Sequence, residues 1–166
     1  MQWQSYRVVS GFLFLASVIG MAFALYLEHV QGLDPCPLCV FQRVGLIGLG
    51  LISLIALLHN PKTNVFKRFY AFLGTLAIAW SVGVAARHVW LQNLPKDQVP
   101  SCGPGLDYWV DTLPLKAVFE NVLKGSGECA MVDWTFLGQS LPVWSCLFFS
   151  VLTLISLWQL FRKYPA

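Results

Sequence analysis

Four stretches of the chain are apolar for about 20 residues each, and that feature decides what it can fold into. They run from about Val8 to Leu27, Val40 to Leu58, Phe69 to Leu91 and Val143 to Phe161. A helix of about 20 apolar residues crosses the hydrocarbon core of a bilayer and satisfies its own backbone there. Only two charges, Arg43 and Arg87, fall inside the stretches, each about one turn from a helix end. A membrane barrel needs alternating segments of about 10 residues, which this sequence lacks. The expected fold is an all-α membrane protein, a four-transmembrane-helix bundle, with the 166 residues forming a single membrane domain. Composition agrees: hydrophobic residues make up 57% and charged residues 11%, against about 25% charged in soluble domains. That excludes an ordinary soluble domain, a disordered chain and a nucleic-acid binder.

The first stretch has features of a signal peptide, since Arg7 precedes it and Ala22-Phe23-Ala24 looks like a cleavage site. A signal core is about 7–15 residues long. This run is longer and continues through Leu25, Tyr26 and Leu27, so it is expected to remain as a helix. Basic residues then set the orientation. Arg7, Lys62, Lys67, Arg68, Arg162 and Lys163 lie in the N-terminus, residues 59–68 and the C-terminal tail, none of which holds an acid. The positive-inside rule puts both termini and residues 59–68 in the cytoplasm. All eight acids, among them Glu28, Glu128 and Asp133, lie in the other two loops. Trp3, Tyr6, Tyr70, Trp158 and Tyr164 fall at the inner edge, and Tyr26, Trp90 and Trp144 at the outer edge, as in an aromatic belt.

Two outer segments remain, about residues 28–39 and about residues 92–142. In the longer one, Leu115, Val118, Phe119, Val122 and Leu123 recur at helical spacing. Pro114 suits the first helical turn after Thr112, and Gly125 suits the stop. This long outer loop is expected to contain a short amphipathic helix, either packed on the rest of the protein or lying flat on the membrane surface.

Of the five cysteines, Cys36, Cys39, Cys102 and Cys129 lie in the outer segments, the oxidising side where disulfides persist. Four cysteines allow three pairings. Cys36-Pro37-Leu38-Cys39 is a C-x-x-C, which leaves Cys102 and Cys129 as the natural second pair; a rearranged pair such as Cys36–Cys129 stays open. A bridge closing about 27 residues would stabilise the loop by about 3 kcal/mol, which a structural staple explains. A four-residue ring stabilises little, so the C-x-x-C reads as a redox or metal element. The second pair lacks zinc-knuckle spacing, and His29, His59 and His88 do not complete one, so no metal is expected. Cys39 sits where the second helix begins, at a partial positive charge that favours a thiolate. Arg43 follows one turn later on the same face; an intramembrane arginine is a functional candidate. His88 lies at the same depth near the outer end of the third stretch. Cys146 has no partner and reads as a small buried hydrophobe. Two thiol pairs in series move two electrons without a bound cofactor. The chain has neither a C-x-x-C-H haem motif nor a dinucleotide fingerprint, so a lipid-soluble acceptor fits.

Over essentially its whole length the chain resembles the bacterial disulfide-bond formation protein B (DsbB) family. Pro35-Cys36-Pro37-Leu38-Cys39 followed by Gln42-Arg43 carries the likeness, together with Ser126-Gly127-Glu128-Cys129-Ala130, Trp134-Thr135-Phe136-Leu137-Gly138 and Leu141-Pro142-Val143-Trp144. His88 with Leu91-Gln92 adds a weaker match. The resemblance implies a quinone-dependent thiol oxidase of the bacterial inner membrane. Its partner would be a periplasmic thioredoxin-like oxidase, DsbA, and its cofactor a quinone, ubiquinone or menaquinone. Cys102 would take the mixed disulfide and release Cys129, and Cys36–Cys39 would reoxidise that pair. Cys39 would then pass electrons to the quinone, with Arg43 supporting charge and His88 as a further quinone-site residue. Three rivals remain on the residues alone. They are a quinone reductase resembling the vitamin K epoxide reductases, a four-span structural protein with a stapled loop, and a metal carrier.

Overall fold

The computed structural model describes residues 6–95, 97–132, 134–162 and 164; Trp3, Asp133 and Lys163 lie outside them. Four of its helices are long and apolar enough to cross a membrane: α1 (Tyr6–His29), α2 (Pro37–His59), α3 (Asn64–Gln92) and, after the outer loop, α7 (Leu141–Phe161). Proline and turn residues set their limits. Pro37 and Pro142 stand in the first turns of α2 and α7, where a missing N–H costs nothing. Asn60, at φ 43°, ends α2 in the left-handed region and bonds back to the Ala56 carbonyl. Pro61 is the next residue.

α3 packs against both α2 and α7, and α1 packs against α2. Leu13, Leu46, Leu49, Ile78, Phe149 and Leu152 meet in the core of this bundle. Polar bonds tie the helices together, as expected where lipid offers no hydrophobic drive between them. Ser81 Oγ donates to the Gln42 carbonyl at 2.7 Å, and Gln159 Nε2 donates to Ser10 Oγ at 3.0 Å. Large apolar side chains such as Leu15, Ile19, Leu58 and Leu154 point outward, the arrangement a bilayer requires. Cys146 is half-buried against the core.

The outer loop holds more structure than the sequence pattern announces. α4 (Leu106–Thr112) and α6 (Gly127–Ala130) flank α5 (Leu115–Lys124). Pro114, expected in the first turn of α5, stands one residue before it at the N-cap, where its carbonyl accepts the first helical bond, from the Val118 N–H at 3.1 Å. Thr112 instead closes α4, its hydroxyl bonding to the Tyr108 carbonyl. Of the two placements open for this helix, the structure has it packed on the protein. Val118 and Val122 are buried with Leu38, Val84, Leu91 and Cys129. The Phe119 ring stands 5.2 Å from Phe41 and 6.2 Å from Trp80. A two-stranded hairpin comes next, β1 (Thr135–Phe136) paired with β2 (Gln139–Ser140). Leu137 and Gly138, at φ 50° and 76°, form its turn, the primed type that a two-residue hairpin favours. Trp144 Nε1 donates to the Phe136 carbonyl at 3.0 Å and pins the hairpin to α7.

Candidate functional site

The site begins with Cys36 placed before a proline. That position is driven to extended backbone, and Cys36, at φ −64° and ψ 161°, becomes the N-cap of α2. Its sulfur accepts from the Cys39 N–H at 3.4 Å. Cys39, three residues on, then carries its sulfur to 3.1 Å from that of Cys36. The neighbouring helix α3 and the next turn of α2 complete the surroundings. His88 of α3 is buried with Nε2 3.9 Å from Cys36 Sγ and Nδ1 3.8 Å from Cys39 Sγ. The Gln42 amide, also buried, donates to His88 Nδ1 at 3.3 Å. That bond leaves Nε2 to carry the ring proton, on the side facing Cys36.

The two loop cysteines occupy unlike positions. Cys102 is exposed, while Cys129 is fully buried. Cys129 packs against Cys36, and the Cys36 sulfur, aided by burial, holds its thiol well above the usual range. Ser126 Oγ lies 3.7 Å from the Cys129 sulfur. Cys102 is next door: a side-chain carbon on Gly127 would stand 3.0 Å from Cys102 Sγ. The Gly127 N–H donates to the Ser101 carbonyl at 3.2 Å. Cys102, Cys129, Cys36 and Cys39 therefore follow one another through the site, the first exposed, the second fully buried and the last two half-buried. The fold brings together all four cysteines and His88.

A cavity of about 420 Å³ opens beside Cys39, within the size range of small-molecule sites, about 300–1,000 Å³. Phe23, Leu46, Phe148 and Trp134 supply apolar wall, and Cys39, Gln42, Arg43 and His88 supply the polar groups. Arg43 does reach this cavity, but its guanidinium is ion-paired with Glu28 of α1 and also donates to the Ala24 carbonyl at 3.5 Å. Glu28 and Gln42 are the residues that sequence reasoning passed over. Their signals were an acid near the outer end of the first apolar stretch and the residue beside Arg43 in the C-x-x-C segment. The structure also assembles what the spacing did not offer. Cys36 Sγ, Cys39 Sγ and a His88 ring nitrogen lie within 4.8 Å of one another, a donor set that soft metal ions accept.

Paired thiols at a helix start, a third thiol packed on them and a cavity in a four-span bundle define a membrane protein built for thiol–disulfide exchange. Comparison with known proteins agrees. The family described as disulfide bond formation protein DsbB matches residues 6–159. The chain is 70% identical over 161 residues to Disulfide bond formation protein B of Acinetobacter baumannii, covering 97% of this chain and 94% of the relative. It is 69% identical to that of Acinetobacter baylyi, over 99% of this chain and 96% of the relative. It is 53% identical to that of Psychrobacter cryohalolentis, over 98% and 94%. The chain belongs to the DsbB family. It is a multi-pass disulfide oxidoreductase of the bacterial inner membrane.

Proposed function

We propose that this protein reoxidises a periplasmic thioredoxin-like disulfide donor of the DsbA type and passes the electrons to a quinone, ubiquinone or menaquinone. The observation that carries the reading is the order of the four sulfurs: an exposed Cys102, a buried Cys129 against Cys36, and Cys39 on the cavity. The protein works as a single membrane domain with both termini cytoplasmic, so that residues 28–39 and 92–142 face the periplasm.

In the proposed cycle the partner's thiolate attacks Cys102 of a Cys102–Cys129 disulfide, and Cys129 leaves as a thiolate. The partner's second thiol resolves the mixed disulfide, so the partner is oxidised and both loop cysteines are reduced. Cys129 then attacks Cys36 of the Cys36–Cys39 disulfide. The Cys36–Cys129 bond forms, the Cys36–Cys39 bond breaks, and Cys39 leaves with the electron pair. Cys102 attacks Cys129, restoring the loop disulfide and releasing Cys36. The two electrons now reside on Cys36 and Cys39.

The cavity residues fit a quinone. Its apolar wall suits a flat ring, and Arg43, Gln42 and His88 are polar groups on that wall. Bound there, a quinone supplies a two-electron, two-proton sink. Arg43 supports negative charge at the cavity, and the His88 Nε2 proton lies toward the Cys36 sulfur. The direction is consistent with potentials, since recharging a partner near −120 mV needs a more oxidising acceptor.

The test is purified protein mixed with short-chain ubiquinone and a reduced thioredoxin-like partner, followed by quinone absorbance. Reduction that requires both the partner and Cys39 is the expected result. No reduction with both disulfides intact would instead support a stapled structural protein.

A further inference from the structure

Arg87 is one of only two charges in the apolar stretches, and the proposed electron path does not use it. Its surroundings are specific. Nε donates to the Leu123 carbonyl and a terminal nitrogen donates to the Lys124 carbonyl, each at 3.0 Å. Its guanidinium lies over the Trp90 ring, 4.0 Å from the centroid, which fixes its plane.

Those two carbonyls belong to the last turn of α5, where a helix leaves four carbonyls without partners. Here all four are accounted for. The Gly125 N–H serves Asn121 and Val122, at 3.2 and 3.0 Å, and Arg87 serves Leu123 and Lys124. The cation also sits at the negative end of the helix. An arginine of α3 is thus built into the C-terminus of the loop helix.

The chain beyond Lys124 is equally constrained. Gly125 turns it at φ 83°, and a side-chain carbon there would come 2.3 Å from Leu91 Cδ1. The Cys129 N–H then donates to the Ser126 carbonyl at 3.0 Å. Cys129 lies only about one and a half helical turns of sequence past Lys124, whose carbonyl Arg87 holds, and it ends against Cys36.

We propose that Arg87 is a positioning residue for the exchange between Cys129 and Cys36: it latches the end of α5 to α3 and so seats the Cys129 sulfur on the Cys36 sulfur. The proposal deepens the function proposed for the four sulfurs and rests on its loop-to-helix relay. Arg87 touches neither sulfur nor the cavity. It acts by raising the effective concentration of one thiol at the other, which sets how strongly that pair closes.

The experiment isolates this pair from partner and quinone. In full-length protein carrying Cys39→Ser, Cys102→Ser and Cys146→Ala, the Cys36–Cys129 disulfide is titrated against reduced and oxidised glutathione. A companion protein carrying Cys102→Ser, Cys129→Ser and Cys146→Ala reports Cys36–Cys39 in the same way. Arg87→Gln should lower the Cys36–Cys129 equilibrium constant about tenfold, the scale of losing charge-assisted bonds. It should leave Cys36–Cys39 unchanged. Arg87→Lys, with charge but no fork, should recover part of the loss, and Gly125→Ala should reproduce it. An unchanged Cys36–Cys129 constant in Arg87→Gln overturns the proposal, as does an equal fall in both pairs, which would make Arg87 a support of the bundle alone. If the parent forms no Cys36–Cys129 bond, the relay itself is wrong and the latch falls with it. Failure of quinone turnover does not affect this measurement, so the two readings fail separately.

Discussion

Glu28 of α1 and Arg43 of α2 form an ion pair at the cavity beside Cys39. Arg43 therefore does not face the thiols with its charge uncompensated, as the sequence position alone would suggest. The carboxylate draws the guanidinium toward α1 and cancels part of its field. Glu28→Gln keeps the shape and removes the cancelling charge. A freed Arg43 would stabilise the thiolate form of reduced Cys36/Cys39 and make the pair easier to reduce. The glutathione equilibrium of that pair should shift toward the dithiol by about threefold or more, in the range of exposed to half-buried charge pairs. A shift toward the disulfide would contradict this role for Glu28.

Cys39→Ala and Cys102→Ala should each abolish turnover, for different reasons. Without Cys102 the partner finds no exposed sulfur to attack, and no mixed disulfide accumulates. Without Cys39 the partner can still react with the loop pair. Arg43→Ala should behave unlike either: one equivalent of partner is oxidised normally, then quinone-dependent cycling slows at least tenfold, mostly through a higher KM. Rapid-mix kinetics with limiting and excess partner separate the three. Full quinone turnover in Arg43→Ala would remove its proposed role.

Cys129 gives a pH signature. In the reduced protein the Cys36 sulfur, then burial, push the Cys129 thiol up. Its folded value thus stands above the unfolded value of about 8.5. The stability this group contributes to the reduced fold is present below that pH and lost as pH rises through the folded value. Alkylation of Cys129, followed by mass spectrometry, should keep accelerating well above pH 8.5. Cys36→Ala should lower the midpoint, because the first cause is gone. A Cys129 midpoint at or below the ordinary thiol range would contradict the packing against Cys36.

The bundle was legible because lipid leaves little choice: four apolar runs of spanning length give four helices. The C-x-x-C was legible for a related reason, since Pro37 fixes both the helix start and the N-cap conformation of Cys36. Other features depend on contacts that spacing does not encode. His88 lies 49 residues beyond Cys39 in the chain, and only the packing of α2 on α3 brings its ring within 3.8 Å of that sulfur. The Glu28–Arg43 pair depends likewise on α1 against α2. Pro114 read as part of the first turn of α5, after Thr112, because proline suits that position. Pro114 itself took the N-cap position, without a side-chain capping bond, and Thr112 turned back onto α4. α4 has no fully buried residue and spans only 7 residues; Leu106 and Trp109, half-buried against the loop cluster, are too few to set a helical period in the sequence.

The docking of α5 should be separable from the stability of the bundle. Val122 is fully buried, in the cluster that joins Leu38 of α2, Leu91 of α3 and Cys129. Val122→Ala removes two methyl groups from that contact and should cost about 1–2 kcal/mol locally. The bundle core of Leu13, Leu49, Ile78 and Leu152 is a different cluster, so the loss should not spread to it. Amide hydrogen exchange in residues 115–130 should accelerate about tenfold, while α2 and α7 keep their protection. Leu115→Ala on the exposed side of the same helix should change little. Equal acceleration in α2, α7 and the loop would mean that the loop helix and the bundle unfold as one unit. In that case Cys129 could not leave Cys36 to meet Cys102 without the membrane helices moving as well.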